Sequence, residues 1–314
     1  MWKIGSPGEL GTVEISDLVF ETQGPCPGAI IIEWNIAADG PAAAGIWDAH
    51  WRIGGSAGTQ LQSDTCLKNP GVTTTLASAQ ACIGAFLLLH VTSQANGYFE
   101  SCWGWVADHE LDLGDRDQID IYNGRCVLTS TPPPSISILT LHRGALIEST
   151  DGPVWMYGTA FEHSVLFDYQ FSHASNVYAG HIQHETAYFQ GNPNALTPFT
   201  PNPVYTDPTF SDCVAANCAR TWGLRVINST NIFVYAAGLY NFFENWSTTS
   251  CLSTESCQEH MVDIQNCTEI YLWALSTKGS SFLVSYEGND VVPYSVNKAN
   301  FCDTIVLLEV SSDE

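Results

Sequence analysis

The chain has 314 residues, of which 45% are hydrophobic and 14% are charged. This is enough apolar material for a folded core, which excludes a disordered chain. Its 10 Lys and Arg against 33 Asp and Glu give a net charge of −23. That charge repels phosphate backbones and anionic membrane surfaces, so nucleic acids and membranes are excluded as partners, whereas a neutral polysaccharide is not.

Short strand-like runs separated by turns follow one another along the chain, and no stretch has a helical period of useful length. The runs are rich in β-branched and aromatic residues, which favours an all-β fold. In chain order they are Ala29–Trp34, Ala85–His90, Gln118–Tyr122, Val154–Tyr157, Ser164–Phe167, Asn231–Tyr235 and Ser281–Ser285.

A loose repeat connects three segments, Ala174–Gly180, Ser229–Tyr235 and Asn266–Trp273. Each is a small polar turn followed by a β-branched and aromatic strand. Such a repeat with variable loops predicts a parallel β-helix, which would make residues 1–314 one domain. A β-sandwich or a propeller is the alternative, but neither a blade signature nor a strict period supports one.

The segment Cys126–Arg143 interrupts this pattern with three consecutive prolines. Because proline cannot donate a hydrogen bond within a central ladder, we expect a protruding inserted loop, or the translation of a retained intron. Removing residues 126–143 joins Asn-Gly-Arg to Gly-Ala-Leu-Ile and leaves ten cysteines, an even number. A second irregular stretch, Pro198–Cys218, is predicted to be a long loop.

The 11 cysteines indicate an oxidising compartment. Close pairs predict loop disulfides, although spacing alone leaves the connectivity open; they are Cys66/Cys82, Cys213/Cys218 and Cys251/Cys257. Glycosylation sequons begin at Asn228, Asn245 and Asn266. We therefore expect an extracellular protein. The first residues lack the apolar region of a signal peptide, which suggests that the natural N-terminus lies further upstream.

Two glutamates are candidates for acid chemistry. Glu162 and Glu185 lie 23 positions apart, about the length of one β-helix coil. Equivalent positions on successive coils stack about 4.8 Å apart, so the carboxylates would share one face. Like charges that close raise one pKa, as a proton donor to a glycosidic oxygen requires. The alternative is a solvated acidic surface, although Trp155, Tyr157 and Tyr188 could form a sugar-stacking wall nearby.

A second cluster carries two indoles. Trp103 and Trp105 lie on the same side of a strand because side chains alternate, and paired indoles can support a pyranose ring. Core packing is an equally good interpretation. Asp108 and His109 follow closely and could bind hydroxyl groups or cap a turn.

Two other motifs each lack a residue that a known metal or phosphate site requires. His184-Glu185-Thr-Ala-Tyr188 lacks the second histidine of the zinc-protease pattern. The glycine-rich run at residues 54–58 lacks the lysine of a phosphate-binding loop. We therefore predict no metal and no other cofactor.

Several longer motifs resemble one enzyme family, the fungal exo-β-1,3-glucanases (glucan 1,3-β-glucosidases) of glycoside hydrolase family 55, and specifically their C-terminal half. The resemblance extends from about residue 5 to the C-terminus, apart from Cys126–Arg143. The matching runs are Gly28–Asn35, Trp103–Asp112, Ile121–Arg125, Gly158–His163 and His184–Tyr188.

The resemblance implies a right-handed, single-stranded, pectate-lyase-like β-helix, the second of two in the family. It also implies release of glucose from the non-reducing ends of β-1,3-glucan with inversion, Glu185 as the general acid and Glu162 as an assisting carboxylate. Contacts to the sugar are expected from Trp103, Trp105, Asp108, His109, Gln183, His184 and Tyr188.

The family's first β-helix has no counterpart in this chain, and it forms one wall of the cleft. We therefore expect weak or no hydrolysis by the chain alone, with the missing N-terminal half as its partner. Two other functions remain open: a non-catalytic carbohydrate-binding β-helix, and a carbohydrase that acts on pectin. Anionic pectin suits a chain of net charge −23 poorly.

Overall fold

A computed structural model describes residues 1–40, 42–68, 76–112, 114, 116–128, 136–140, 143–196 and 200–311. The first described strands are β1 (Trp2–Gly11), β2 (Glu14–Ser16), β3 (Val19–Glu21), β4 (Ile30–Ala38), β5 (Gly45–Trp47), β6 (His50–Ile53), β7 (Ile83–Ala85), β8 (Leu87–Val91), β9 (Gly97–Glu100), β10 (Trp103–Val106), β11 (Tyr122–Asn123), β12 (Arg125–Leu128), β13 (Ile136–Thr140) and β14 (Arg143–Ile147).

The strands of the second half are β15 (Val154–Tyr157), β16 (Ala160–Glu162), β17 (Phe167–Ser172), β18 (Ser175–Gly180), β19 (Gln183–Glu185), β20 (Trp222–Ile227), β21 (Thr230–Tyr235), β22 (Gly238–Tyr240), β23 (Gln258–Gln265), β24 (Thr268–Lys278), β25 (Ser280–Tyr286), β26 (Asn289–Pro293), β27 (Lys298–Ala299) and β28 (Cys302–Val310). Short helices are α1 (Ser63–Cys66) and α2 (Leu76–Ala81), and 3-10 turns cover Pro203–Tyr205, Leu252–Thr254 and Tyr294–Val296. Within the described ranges, no helix is long and apolar enough to cross a membrane.

The strands form three long strips that run along one axis. Strip A contains β1, β4, β8, β14, β17, β20, β23, β25 and β26; strip B contains β2, β5, β9, β15, β18, β21 and the first part of β24; strip C contains β3, β6, β10, β16, β19, β22 and the last part of β24. Neighbours within each strip pair in parallel, except β26, and β28 closes β24 antiparallel. The chain visits A, B and C in turn, once per coil. The predicted right-handed parallel β-helix is therefore confirmed.

The sequence repeat corresponds to successive coils of strip B. Val177 pairs with Ile232, which pairs with Ile270. All three side chains are buried. Coils differ in length because loops leave at the corner between strips C and A, where residues 186–221 and 241–257 connect β19 to β20 and β22 to β23.

Close packing inside strip C needs a glycine between two tryptophans. Gly104 stands between Trp103 and Trp105 and faces inward, opposite the buried Phe161. A Cβ on Gly104 would lie 2.2 Å from Phe161 Cδ1. The missing side chain therefore lets the Phe161 ring lie across β10 and pack on Trp51, with ring centroids 5.6 Å apart.

The inserted segment begins and ends differently from the prediction. Arg143, placed in the insert by the sequence interpretation, belongs to the coil: it pairs with Leu87 and Phe167, and its buried guanidinium binds Asp207. Part of the segment, β12 and β13, forms an antiparallel pair outside the three strips. Its prolines lie outside the described residues.

Disulfides connect the three predicted pairs of cysteines. They are Cys66–Cys82, Cys213–Cys218 and Cys251–Cys257. Two of the sequons share one corner of the coil: Asn228 and Asn266 are both exposed, and Asn266 Nδ2 donates to Asn228 Oδ1 at 2.6 Å. Asn245 is half-buried in the loop after β22.

Candidate active site

Glu162 and Glu185 stack on adjacent strands of strip C. Ala160 of β16 pairs with Gln183 of β19, which brings the two glutamates, two residues further along each strand, to the same height. Adjacent strands lie about 4.8 Å apart. The two acids therefore stack on the outer face of strip C, as their spacing of one coil predicts.

Glu162 is the more buried of the two acids, with 8% of its surface exposed. Its Oε2 accepts a hydrogen bond from Trp103 Nε1 at 2.9 Å, and its Oε1 accepts one from Gln183 Nε2 at 2.8 Å. Burial raises the pKa of Glu162 above its ordinary value of 4.5, and the nearby charge of Glu185 acts in the same direction. The charge of His163 and the hydrogen bond from Trp103 oppose this rise without cancelling it.

Glu185 remains open to solvent, with 20% of its side chain exposed. Its Oε2 accepts a hydrogen bond from the Tyr188 hydroxyl at 2.5 Å and lies 3.7 Å from His163 Nε2. Burial alone would raise the pKa of Glu185, but His163 and Tyr188 outweigh it and lower the pKa below 4.5. The structure therefore raises the pKa of Glu162, whereas the sequence interpretation assigned the raised pKa to Glu185.

His163 is a central residue of the site that the sequence interpretation did not identify. It follows β16 in a left-handed conformation with φ 65°, and its buried ring donates from Nδ1 to the Val106 carbonyl at 3.0 Å. Burial disfavours its charged form, but Glu185, Asp108 and Glu162 outweigh burial and raise the pKa of His163 to about 10. The site therefore holds an imidazolium among three carboxyl groups.

The two indoles share one side of β10, as predicted, but they do not form an open platform. Trp103 and Trp105 stack on each other with centroids 5.4 Å apart, and only 2% of Trp105 is exposed. Trp105 Nε1 donates to Asp108 Oδ1 at 3.1 Å, and His109 contacts both Asp108 and the Trp105 ring. Trp103, Asp108 and His109 are half-buried and are therefore the parts of this cluster that a sugar can reach.

His184 was expected to contact substrate, and the structure contradicts this. The strand alternates, so Gln183 and Glu185 face outward and His184 faces the core. The His184 ring is fully buried, with Nδ1 2.6 Å from Asp168 Oδ2 and Nε2 3.1 Å from Thr186 Oγ1. His184 therefore supports strand β19 from inside.

Trp155 and Tyr157 do not join the wall that was expected around the two acids. Both belong to β15 of strip B, whereas Glu162 belongs to β16 of strip C. Their ring partners are Tyr178 and His181, on the next coil of strip B.

Tyr188 instead forms an aromatic wall with two residues that the sequence interpretation missed. Its ring lies 4.0 Å from that of Phe243 and 5.5 Å from that of Trp246, measured between centroids. Trp246 is held by a hydrogen bond from Nε1 to Asp120 Oδ1 at 2.9 Å. The run of aromatic residues Phe242, Phe243 and Trp246 in a loop between strands was the available signal for this wall.

A further group of possible metal ligands does not form a site. Atoms of Cys218, Glu259 and His260 lie within 4.8 Å of one another. Cys218 is bonded to Cys213, so its sulfur is not available as a thiolate ligand.

Comparison with known proteins shows close relatives, although no family model matches the chain. A protein of Arthroderma benhamiae named "Probable glucan endo-1,3-beta-glucosidase" is 50% identical over 98% of this chain. A "Non-secreted LysM effector LysM15" of Penicillium expansum is 36% identical over 97% of it, and a "Glucan 1,3-beta-glucosidase" of Cochliobolus carbonum is 35% identical over 96%.

The relatives are much longer than this chain. It spans 32% of the Arthroderma protein, 19% of the Penicillium protein and 35% of the Cochliobolus protein. Among solved structures, an alanine variant of sacteLam55A from Streptomyces sp. SirexAA-E in complex with glucose matches 95% of this chain and 42% of its own. That match has a TM-score of 0.48 and 14% sequence identity.

Proposed function

We propose that this chain is a member of glycoside hydrolase family 55 and the counterpart of the C-terminal half of the longer fungal β-1,3-glucanases. In this proposal it supplies the proton-donating side of an active site that hydrolyses β-1,3-glucan. Glu185 is the general acid and Glu162 the assisting carboxylate. The product is glucose, released from non-reducing ends with inversion.

The accessibility of Glu185 carries this proposal. A proton donor must reach the glycosidic oxygen, and 20% of the Glu185 side chain is exposed, against 8% of residue Glu162. Both oxygens of Glu162 already accept hydrogen bonds. At Glu185 the described residues engage Oε2 alone, which leaves Oε1 for the substrate.

The lowered pKa of Glu185 applies to the chain with no glucan bound. A glucan bound over Glu185 removes the water that reaches it, and desolvation raises the pKa of a carboxyl group. Glu162 holds its proton more readily and lies one strand away, and its pKa depends on the charge of Glu185, so the two acids titrate as a coupled pair. The donor is the member that faces the glycosidic oxygen.

The stacking of the acids also restricts the role of Glu162. Inverting glycosidases hold their acid and base about 6.5–9.5 Å apart, so that a water molecule fits between the base and the sugar. Side chains that start about 4.8 Å apart leave no such room. Glu162 therefore adjusts the acid, and the proposal assigns the positioning of the attacking water to groups in the part of the longer relatives that this chain does not match. This supports weak or no hydrolysis by the chain alone.

The experiment places this chain in a complete enzyme. In a chimera, the chain replaces the matching part of the 50%-identical Arthroderma relative, and laminarin hydrolysis is measured beside that of the isolated chain. We expect glucose release by the chimera and little or none by the chain. Full activity of the isolated chain contradicts the proposal that it supplies only the proton-donating side of the active site.

The acid is then identified with two matched variants of the chimera, Glu185→Gln and Glu162→Gln. Loss of a general acid costs about 10²–10⁴ in rate on laminarin but little on a dinitrophenyl β-glucoside, whose leaving group needs no proton. We expect this selective loss for Glu185→Gln. If only Glu162→Gln shows it, the roles are reversed. Proton NMR of the first product distinguishes the α-anomer of inversion from the β-anomer.

Extracellular location is part of the proposal. The three short-range disulfides support it, because such bonds persist in oxidising compartments. Detection of the protein in the culture medium of the producing organism, with its disulfides intact, is the expected result. Retention of the reduced protein inside the cells contradicts it.

A non-catalytic role in carbohydrate binding is the second candidate, favoured by the half-buried aromatic residues around Glu185. In that case, the chimera binds laminarin but releases no glucose.

A further inference from the structure

Strip B carries two columns of aromatic side chains on its outer surface. In the first column, Tyr98 pairs with Trp155, then Tyr178, Phe233 and Tyr271 on five successive strands. The second column lies two residues further along each strand and holds Trp47, Tyr157, Tyr235 and Trp273. We call these nine residues the aromatic face.

Much of the ring surface in the aromatic face is open to solvent. Trp155, Tyr157, Tyr235 and Trp273 are 39%, 43%, 42% and 40% exposed. Soluble monomers rarely expose a contiguous apolar patch of this kind without a function. The aromatic face is therefore a candidate binding surface.

Tyr157 and Tyr235 flank a position of the second column that carries no side chain. These residues lie two strands apart, about 9.6 Å, and Gly180 occupies the position between them. His181 contacts both tyrosine rings edge-on, with centroid distances of 5.5 Å and 6.5 Å. A Cβ at Gly180 would lie 2.9 Å from Tyr178 Cε1, so the Tyr178 ring covers this position and continues the aromatic surface from Tyr157 to Tyr235.

The residue types of the face favour a carbohydrate over a protein partner. Between Trp47 and Trp273, the outward positions of the described strip B strands hold aromatic and polar residues and glycine, but no Val, Leu, Ile or Met. Flat aromatic rings beside hydroxyl and amide groups match the apolar faces and hydroxyl rims of pyranose rings. Only Glu100 and Glu269 bring charge to these positions, in a chain of net charge −23. A neutral polymer therefore meets little repulsion.

The face is separate from the candidate active site but lies on the same coil. Tyr157 ends β15, and Gly158 and Thr159 connect it directly to β16 and Glu162. A polymer held on strip B is thereby kept close to the acids on strip C.

We propose that the aromatic face is a second glucan-binding site, which holds a neutral β-1,3-glucan chain outside the active site. This rests on the proposed function for the identity of the polymer. It adds a surface that retains insoluble substrate.

The test is co-sedimentation of the purified full chain with insoluble β-1,3-glucan, in a Glu185→Gln background so that binding does not depend on hydrolysis. The variant Tyr157→Ala/Tyr235→Ala is expected to bind at least tenfold more weakly. Phe301→Ala, which removes another exposed aromatic ring, is the matched control and should bind normally. Thermal unfolding of each variant confirms that it is folded.

Unchanged binding of the folded double variant overturns the inference. So does a result in which the parent chain is dimeric by light scattering, the double variant is monomeric, and glucan binding is unaffected, because the face is then a contact between copies. Failure of the proposed function appears separately, as laminarin hydrolysis that persists after Glu185→Gln in the chimera.

Discussion

Glu162 and Glu185 share one face of strip C on adjacent strands, yet their surroundings move their pKa values in opposite directions. Burial raises that of Glu162, and His163 lowers that of Glu185. Two acids of the same type, one strand apart, are thereby made chemically different.

The first prediction concerns the pH dependence of the chimera on laminarin. The donor must be protonated, so kcat/KM falls as pH rises through the donor's pKa in the free enzyme. With Glu185 as donor, we expect this alkaline limb below pH 4.5. Removing the imidazolium with His163→Gln should move the limb to higher pH. A limb above 4.5 that disappears in Glu162→Gln identifies Glu162 as the donor instead.

The second prediction concerns stability and His163. Its pKa in the folded protein, about 10, lies above the ordinary 6.5, so the charged ring stabilises the fold fully below pH 6.5 and this contribution is lost as pH rises to about 10. Across this pH window, we expect the free energy of unfolding of the parent to fall by roughly a few kcal/mol more than that of His163→Gln. Denaturant titrations at pH 6 and pH 10 measure it. Parallel pH curves contradict it.

The third prediction concerns the inserted segment. Asn123 pairs with Ala85, and Arg143 pairs with Leu87, so Gly124 alone fills the register between them. The register therefore requires no residue between Gly124 and Arg143. Deletion of residues 125–142 leaves Gly124 bonded to Arg143, and it gives the same sequence as removal of 126–143. We expect a folded protein whose Tm changes by only a few degrees.

The matched control is deletion of residues 126–142. It retains one extra residue, Arg125, between Gly124 and Arg143, which shifts the register of β14 by one position and turns its core side chains outward. We expect this variant to be far less stable. Equal stability of both deletions, or unfolding of the first, contradicts the register argument.

The fourth prediction tests the packing beneath the two indoles. Gly104→Ala places a Cβ against the Phe161 ring and should cost about 1–3 kcal/mol of unfolding free energy. Gly114→Ala is the control, because its Cβ would meet no atom within 4 Å. Adding Phe161→Leu to Gly104→Ala should restore part of the loss. No difference between the two alanine variants contradicts this account.

Regular strand geometry explains what could be predicted. The stacked glutamates follow from a spacing of one coil, and the shared side of Trp103 and Trp105 follows from alternation. The same alternation, applied to Gln183 and Glu185, places His184 inside, whereas the family motif implies a contact between His184 and the substrate. Burial of Trp105 could not be predicted, because it depends on Asp108 and His109 folding back over the ring.

Other parts of the site depend on contacts between coils that leave no periodic signal. His163 owes its charge to a left-handed turn and to the neighbouring Asp108 and Glu185. Phe243 and Trp246 reach Tyr188 through an irregular loop. The boundary at Arg143 could not be predicted because Arg125 is identical in type; strand pairing and the buried contact with Asp207 identify Arg143 as the residue of the coil.

The hydrogen bond between Asn266 and Asn228 has a consequence for the proposed extracellular location. An N-linked sugar attaches to Nδ2, and here the Nδ2 of Asn266 is directed at its neighbour one strand away. Two N-linked glycans attached about 4.8 Å apart would collide. If the chain is glycosylated, its fold accommodates a glycan on one of these two sequons but not on both, and intact-mass spectra should contain species with a single glycan at this corner and none with two.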